Sequence, residues 1–275
     1  EMQRSLVGSE MCIRDRNRGE RVFMLKAAII DDGIDASQFK NVKSWVIKKD
    51  LSIENENIIS VKDNHACTCL KIIQKYCDMS DVFWHSIKIL NDDTKRGNIR
   101  QFIEALRLCE QLEVKIIHLS IGTRSYSDFN LIEKSIEALC DKGTIIIAAA
   151  CNEGTVAYPA CMNGVIGVKC DFSATDQQYL YNCNTLDNIS FSASARHILR
   201  DRGKLRLSLQ SNSYAAPLIT SKALSLLTRR PYASFEEVYL YLVRNAYNYS
   251  ESMHVVYFNP VSYTHLRAHE TTLHL

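Results

Sequence analysis

Short, nearly uninterrupted apolar runs alternate with amphipathic helical segments along the chain, and this alternation constrains the fold more than any other feature. The run from Thr144 to Ala150 is typical of a strand buried on both faces, and the segment from Ile99 to Leu112 has the period of a helix with one apolar face. Strands that alternate with helices form a mostly parallel sheet covered on both sides. The sequence therefore predicts an α/β fold, a doubly wound mostly parallel sheet with helices on both faces.

The same patterns place the individual elements. Strands are predicted at 22–30, 42–47, 58–61, 82–90, 115–119, 144–150, 164–168, 178–181, 189–191 and 204–209, and helices at 65–76, 99–112, 129–140, 213–228 and from 234 to about 246. Asn64 is the expected cap of the first helix, and Ser234 with Glu237 forms a capping box for the last. Because no internal repeat or long linker is visible, we expect one domain at 23–259.

The two ends of the chain show no period. Residues 1–20 lack the apolar segment of a signal peptide. Both ends resemble the translation of sequencing-adaptor DNA, so we expect 1–22 and 260–275 to be non-native or disordered tails. On this interpretation His265, His269 and His274 do not form a metal-binding tract.

Composition excludes several classes of function. The formal net charge of +2 is too small to indicate binding to nucleic acid or to an anionic membrane, and no run of 18 apolar residues is present. Most of the ten cysteines lie in apolar patterns, as buried thiols do. We expect a cytoplasmic monomer, or a secreted protein if a signal and propeptide were lost by truncation.

No metal or cofactor is expected. Cys67 and Cys69 are too close together for the usual zinc spacing and lack a second ligand pair. Acidic residues are scattered, so a structural calcium site cannot be assigned. The sequence has neither a Gly-x-Gly-x-x-Gly turn nor a Walker A motif, which leaves a nucleotide without its phosphate-binding loop.

Acidic residues end the first strand, at Asp31 and Asp32. The receiver domain of a response regulator also ends its first strand in this way. A receiver has only about 120 residues, however, and would leave the second half of the chain unexplained. A receiver-like signalling domain is therefore the weakest of the three interpretations of this sequence; the other two follow from the motifs described next.

A carboxylate, an imidazole and a hydroxyl occur at the ends of predicted elements, in the order Asp31, His65 and Ser213. Ser213 opens a helix, where free N–H groups favour negative charge. Nucleophilic hydrolysis needs these three types of group. Each alone has a simpler explanation: Ser213 as a helix N-cap, His65 as a structural histidine and Asp31 as a turn residue.

Six motifs in the right order make the chain resemble the subtilisin-like serine peptidases, the subtilases, over about residues 23–250. They are the aspartate motif at 28–35, the histidine motif at 63–69, the substrate-binding strand at 116–122, the oxyanion segment at 147–154, the block that starts at Tyr158-Pro159-Ala160, and the serine motif at 211–217. The resemblance implies a subtilisin-like fold and a serine endopeptidase that acts on peptide or protein substrates.

The resemblance also implies roles for individual residues. Ser213 attacks the scissile carbonyl, His65 transfers the proton and Asp31 orients His65. Asn152 donates its amide to the oxyanion. The substrate pocket would be lined by Ser120, Ile121, Gly122, Ala150 and Cys151. Whether Cys151 faces the substrate or is a small core residue stays open.

Four residues depart from the subtilase motifs. Ala66 and Cys67 follow His65, and Ser211 and Asn212 precede Ser213, where subtilases usually have Gly-Thr at both places. If position 211 required a left-handed backbone, a serine there would cost about 1–2 kcal/mol. These departures support an alternative, a catalytically impaired subtilase-fold module that binds peptides.

Overall fold

The computed structural model describes residues 13–15, 21–56, 64–183, 185–201 and 203–251. The strands in these ranges are β1 Ile13–Asp15, β2 Arg21–Phe23, β3 Leu25–Asp31, β4 Val42–Ile47, β5 Ile53–Asn55, β6 Val82–Lys88, β7 Ile116–Leu119, β8 Ile145–Ala149, β9 Val165–Cys170, β10 Tyr179–Tyr181, β11 Phe191–Ala193, β12 Ile198–Asp201 and β13 Lys204–Leu207. The helices are α1 His65–Tyr76, α2 Ile99–Gln111, α3 Phe129–Asp141, α4 Asn212–Leu227 and α5 Phe235–Arg244.

Nine strands form one sheet in the order β10-β11-β9-β8-β7-β3-β6-β4-β5. The strands from β11 to β4 in that order run parallel to one another. Strands β5 and β10 add antiparallel edges. The mostly parallel sheet predicted from the sequence is thus confirmed.

Strand β3 lies where the order of the sheet reverses. From β3 the chain builds β4, β5 and β6 on one side, and it then crosses to β7 on the other. In open α/β sheets, ligand sites lie beyond the carboxyl ends of the strands at such a point. Asp31 is the last residue of β3, so it lies at this position.

Helices cover both faces of the sheet. Ala27 and Ile29 of β3 pack in a hydrophobic core with α1, α4 and α5. Ala28 and Ile30 pack in a second core, with α2 and α3. This alternation along one strand is what a strand buried on both faces requires, and it confirms the doubly wound arrangement.

Helix ends follow the predicted caps. Helix α1 spans the expected residues, and Oδ1 of Asn64 accepts the N–H of Cys67 over 2.9 Å. Helix α5 opens with the expected capping box between Ser234 and Glu237. Helix α4 begins at Asn212, one residue before the predicted start. The longest of these helices has 16 residues, and none in the described ranges meets the length and hydropathy that a bilayer span requires.

Some short strands differ from the prediction. The predicted strand at 58–61 lies outside the described residues. Strand β5 was not predicted, and it pairs antiparallel with β4. Strand β12 was not predicted either, and it pairs with β13. Strands β1 and β2 pair with each other mostly within the stretch expected to be a tail. All four are three or four residues long, too short for a clear period.

Candidate active site

The side chains of Asp31 and His65 meet at the carboxyl end of β3. Oδ2 of Asp31 lies 2.7 Å from Nδ1 of His65. The Asp31 side chain is 1% exposed and that of His65 is 27% exposed. A carboxylate at Nδ1 keeps a proton on that nitrogen and leaves Nε2 as the basic position. The pair therefore provides a base in a fixed orientation, and this base is accessible from solvent.

Asp32 holds the start of α1. Its carboxylate accepts the backbone N–H of His65 over 3.1 Å and that of Ala66 over 2.9 Å. Nζ of Lys95 lies 3.1 Å from the same carboxylate. Asp32 thus satisfies N–H groups that the first helical turn leaves free, and it complements the helix dipole. Sequence analysis assigned Asp32 a role only in the receiver interpretation, whereas the structure shows that Asp32 binds the backbone of His65, the residue that carries the imidazole.

Asn64 joins the start of α1 to the loop after β3. Besides capping the helix, its amide nitrogen donates to the carbonyl of Gly33. Gly33 has a φ of +90°, a conformation that glycine adopts without steric cost. The loop can therefore turn sharply just after Asp31 and Asp32.

Burial and hydrogen bonding act in opposite directions on His65. Burial disfavours the imidazolium, but the interactions with Cys69 and Asp31 outweigh it and raise the pKa of His65 above its ordinary value. Burial also raises the pKa of Cys69, so this side chain is a neutral thiol. The Asp31 carboxylate, which is hydrogen-bonded to Nδ1, also favours the imidazolium and raises the pKa of His65. Burial raises the pKa of Asp31 itself, and the hydrogen bond to His65 opposes that shift.

Ser213 is the second residue of α4. The ring of Tyr214, the next residue, has its centroid 5.2 Å from that of His65, so the helix start packs against the histidine. Within the described part of the chain, no hydrogen bond joins the His65 ring to the Ser213 hydroxyl. Such bonds are often long in the absence of substrate and tighten in the Michaelis complex.

Pro217 leaves the carbonyl of Ser213 without its helical partner, because residue i+4 would supply the N–H and proline has none. Ser120 replaces it: its hydroxyl donates to the Ser213 carbonyl over 3.2 Å. The next carbonyl, that of Tyr214, accepts from Nε2 of the buried His197 over 2.8 Å. Two hydrogen bonds therefore hold the first turn of α4, and with it the proposed nucleophile.

His118 completes a buried chain of hydrogen bonds behind Ser120. Its Nε2 lies 2.9 Å from the Ser120 hydroxyl, and its Nδ1 lies 2.8 Å from the hydroxyl of Thr220. Burial lowers the pKa of His118 to about 3, so the ring is neutral and carries one N–H. Because Ser120 donates to Ser213, its oxygen accepts from Nε2 of His118. Nδ1 is then an acceptor, so the single hydroxyl proton of Thr220 points to Nδ1 at 2.8 Å and not to the Ala216 carbonyl at 3.2 Å. The sequence signal that could have found His118 is a histidine inside an apolar strand.

Asn152 and Asn212 orient each other at the start of α4. The backbone N–H of Asn212 donates to Oδ1 of Asn152 over 2.9 Å. Since the side-chain oxygen faces this donor, the NH₂ group of Asn152 faces away from it. The side chain of Asn212 accepts the N–H of Cys170 over 2.7 Å and donates to the carbonyls of Ala150 and Cys151 over 3.1 and 2.8 Å. Asn212 therefore ties the ends of two strands to the helix.

The residues that depart from the subtilase motifs fit the backbone that they occupy. Ser211 has φ −152° and ψ 160°, an extended conformation open to any residue, so the conditional cost of a left-handed backbone does not arise. Ala66 is buried and donates its N–H to Asp32. Cys67 is buried and its sulfur accepts the N–H of Asp35 over 3.2 Å.

A cleft of about 760 Å³ runs past the Asp31–His65 pair. Of the predicted pocket residues, Ser120, Ile121 and Gly122 line it together with Tyr214. A side chain at Gly122 would collide with the backbone, because its Cβ would lie 2.7 Å from the carbonyl oxygen of Tyr158. Because position 122 is glycine, the segment that lines the cleft can lie close to the segment that contains Tyr158.

Ala150 and Cys151 lie beside the cleft and are not part of its lining. Both present their carbonyls to Asn212. Cys151 is partly exposed, and its sulfur accepts from the hydroxyl of Thr155 over 3.4 Å. The structure therefore gives these two residues a role in anchoring the helix start.

Asp31, His65 and Cys69 could also be considered as metal ligands, since one ligand atom from each lies within 4.8 Å of the others. Two of those atoms share the Asp31–His65 hydrogen bond, and the Cys69 sulfur keeps its proton. Structural zinc sites use four ligands, with thiols deprotonated. The cluster therefore fits an oriented base better than a metal site.

The chain is similar to known proteins in its sequence profile and in its fold. The sequence profile of the Subtilase family matches residues 25–259. Sphericase is similar in structure, with 18% identity, coverage of 78% of this chain and 81% of its own, and a TM-score of 0.59. A lanthipeptide protease has 14% identity, coverage of 86% and 84%, and a TM-score of 0.61. The prenylagaramide maturation protease PagA has 17% identity, coverage of 78% and 79%, and a TM-score of 0.56. No curated protein sequence matches the chain.

Proposed function

The chain belongs to the subtilase family of serine peptidases, and we propose that it is an endopeptidase that uses Asp31, His65 and Ser213 as its catalytic triad. One observation supports the triad above all others: Asp31 holds Nδ1 of His65 at 2.7 Å beside the helix start that carries Ser213. Substrates of the family are peptides or proteins.

In the proposed reaction, Oγ of Ser213 attacks the scissile carbonyl carbon while Nε2 of His65 takes the hydroxyl proton. The tetrahedral intermediate then collapses. His65 gives the proton to the leaving amine, and the acyl group stays on Ser213. Water, deprotonated by His65, attacks this ester, releases the acid and restores the serine. Asp31 stabilises the imidazolium in both halves of the reaction.

The oxyanion of the intermediate is proposed to bind at the start of α4. The NH₂ group of Asn152 is the side-chain donor, since the hydrogen bond from Asn212 orients the other end of the amide. The backbone N–H of Ser213 is the second donor, and the helix dipole adds positive potential there.

We propose that the physiological substrate is a peptide precursor. Two of the structurally similar enzymes are named for such work, the lanthipeptide protease and the prenylagaramide maturation protease. We also propose a reducing compartment such as the cytoplasm, which the buried thiols of Cys69, Cys77 and Cys109 support.

Active-site labelling tests the proposed function. The full chain should react with a fluorophosphonate probe, and Ser213→Ala should not. His65→Ala should label far more slowly, because the serine loses its base. Equal labelling of wild type and Ser213→Ala would contradict the assignment.

A second candidate function is a peptide-binding module with little turnover, which the missing hydrogen bond between His65 and Ser213 favours. Tight peptide binding without cleavage over long incubation would select it. Turnover that disappears in His65→Ala would exclude it.

A further inference from the structure

The charge of the cleft points to the kind of peptide that it binds. Apart from His65, the charged residues that line it are Asp31, Asp32, Lys95, Arg96 and Arg206. Each carboxylate already has a partner inside the protein. Asp31 is bound to His65, and Asp32 is bound to Lys95 and to two backbone N–H groups.

The two guanidinium groups remain uncompensated. Neither Arg96 nor Arg206 forms an ion pair with any residue in the described ranges, and both are exposed. In the same loop as Arg96, Asp92 pairs with Lys88 over 2.7 Å, whereas Asp93 is exposed and forms no ion pair with a described residue. The lining therefore carries two positive charges that face solvent and bound ligand.

Arg96 lies in a well-anchored loop between β6 and α2. Its carbonyl accepts the N–H of Asn91 over 3.0 Å, and its own N–H donates to the hydroxyl of Thr94 over 3.3 Å. Lys95, one residue before, binds Asp32. The loop is thus fixed at the edge of the cleft, on the side of Ile121 and Gly122.

Arg206 lies on β13 and also lines the cleft. Its partner across the hairpin is the buried Leu199, and paired residues share a face. The Arg206 side chain therefore points toward the protein, whereas Leu205 and Leu207 point away and are exposed. Arg206 also lies within electrostatic range of Tyr214, whose ring packs on His65.

The two arginines therefore line the same cleft as His65 from two different parts of the fold, the loop before α2 and strand β13. The acyl part of a substrate would lie along Ser120 to Gly122, near Arg96. The leaving part must pass His65, which protonates the amine, and so approaches Tyr214 and Arg206. We propose, on the basis of the proposed function, that the cleft selects peptides with acidic side chains on both sides of the scissile bond, one bound by Arg96 and one by Arg206.

A binding experiment with Ser213→Ala in the full chain tests this without requiring turnover. The probe is an eight-residue peptide library in a neutral background, with either Gln or Glu at each position. Bound peptides are identified by mass spectrometry at low salt. Glu should be enriched at two separate positions, about two- to fivefold each, as expected for exposed ion pairs. The enrichment should shrink near 1 M salt, where screening acts within about 3 Å.

Further variants in the Ser213→Ala background assign the two positions. Arg96→Gln should remove the Glu preference at the position nearer the peptide N-terminus, and Arg206→Gln should remove it at the other. Arg229→Gln is the matched control, because Arg229 is exposed and is not part of the cleft lining. It should keep the pattern.

Equal recovery of Gln and Glu in the parent protein would overturn the inference, as would an equal loss in the Arg229→Gln variant. Fluorophosphonate labelling of the wild type reports on Ser213 independently. If the wild type reacts with the probe but Ser213→Ala shows no preference for Glu, only the substrate inference is contradicted. An unlabelled protein with acidic preference contradicts only the peptidase mechanism.

Discussion

The backbone nitrogen of Asn212 and Oδ1 of Asn152 are 2.9 Å apart, and this hydrogen bond fixes the orientation of the Asn152 side-chain amide. Asn152 is exposed, so packing alone would not hold its side chain in one orientation. With the oxygen engaged, the NH₂ group is the end left to donate to an oxyanion.

The first prediction separates donation from orientation at Asn152. Asn152→Asp keeps an oxygen for the Asn212 N–H but has no amide donor, and it adds a negative charge beside the oxyanion. We expect kcat to fall by at least about 10²–10³ with little change in KM. In the Asn152→Ala variant, kcat should fall by about 10²–10³. Steady-state kinetics check both, and an Asn152→Asp enzyme that keeps wild-type kcat would refute the assigned role.

Asn212 is expected to stabilise the fold as well as the site. Asn212→Ala leaves one N–H and two carbonyls without their partner, and an unsatisfied buried polar group costs about 1–3 kcal/mol. Each kcal/mol lowers Tm by roughly 2–4 °C in a domain of similar size. Calorimetry measures the shift. Asn212→Thr, the residue usual in subtilases, cannot make all three contacts, so a Tm equal to wild type would contradict this explanation.

The pH dependence should follow the raised pKa of His65. His65 must be neutral to act as a base, so activity falls as the pH drops through that pKa, with a midpoint above the ordinary 6.5. Asp31→Asn removes the carboxylate that favours the imidazolium. It should move the midpoint to lower pH and reduce kcat by about 10⁴, as in other serine triads. Profiles of kcat/KM test this, and a rate that stays flat from about pH 5 to 8 would argue against His65 as the base.

The parts of the site that the sequence predicted are those fixed by local pattern. Asp31 ends an apolar strand, and His65 and Ser213 open helices whose periods and caps are visible in the sequence. Parallel strands bring their carboxyl ends to one edge, so residues at these ends can be expected to meet. The family resemblance then gave each residue its role.

The supporting contacts were not predictable, because they join residues far apart in the sequence. His118 and Thr220 are 102 positions apart, and Asn212 and Ala150 are 62 apart. No periodicity encodes such a pair. From the sequence, Asn212 is a departure from the subtilase serine motif that favours an impaired enzyme. In the structure, its side chain forms three hydrogen bonds that hold the start of α4. The same limit applies to Arg96 and Arg206, which only the folded chain brings to one cleft.

His118 is expected to act by positioning, and the last prediction tests this against a purely structural role. His118→Leu removes the donor to Ser120, which then holds the Ser213 carbonyl less firmly. We expect kcat to fall by about five- to tenfold, the equivalent of about 1 kcal/mol, with KM nearly unchanged. The acid midpoint of the pH profile should not move, because His118 has a pKa of about 3 and stays neutral throughout.

His85→Leu is the matched control for His118→Leu. His85 is another buried histidine, with a pKa of about 4, that accepts from the indole of Trp45 over 3.2 Å. It lies outside the cleft lining. Its replacement should also lower Tm, since it deprives the half-buried indole N–H of Trp45 of its partner, but it should leave kcat unchanged. If both variants lost kcat in proportion to Tm, the effect of His118 would be one of stability, and the hydrogen-bond chain to Ser213 would have no separate part in catalysis.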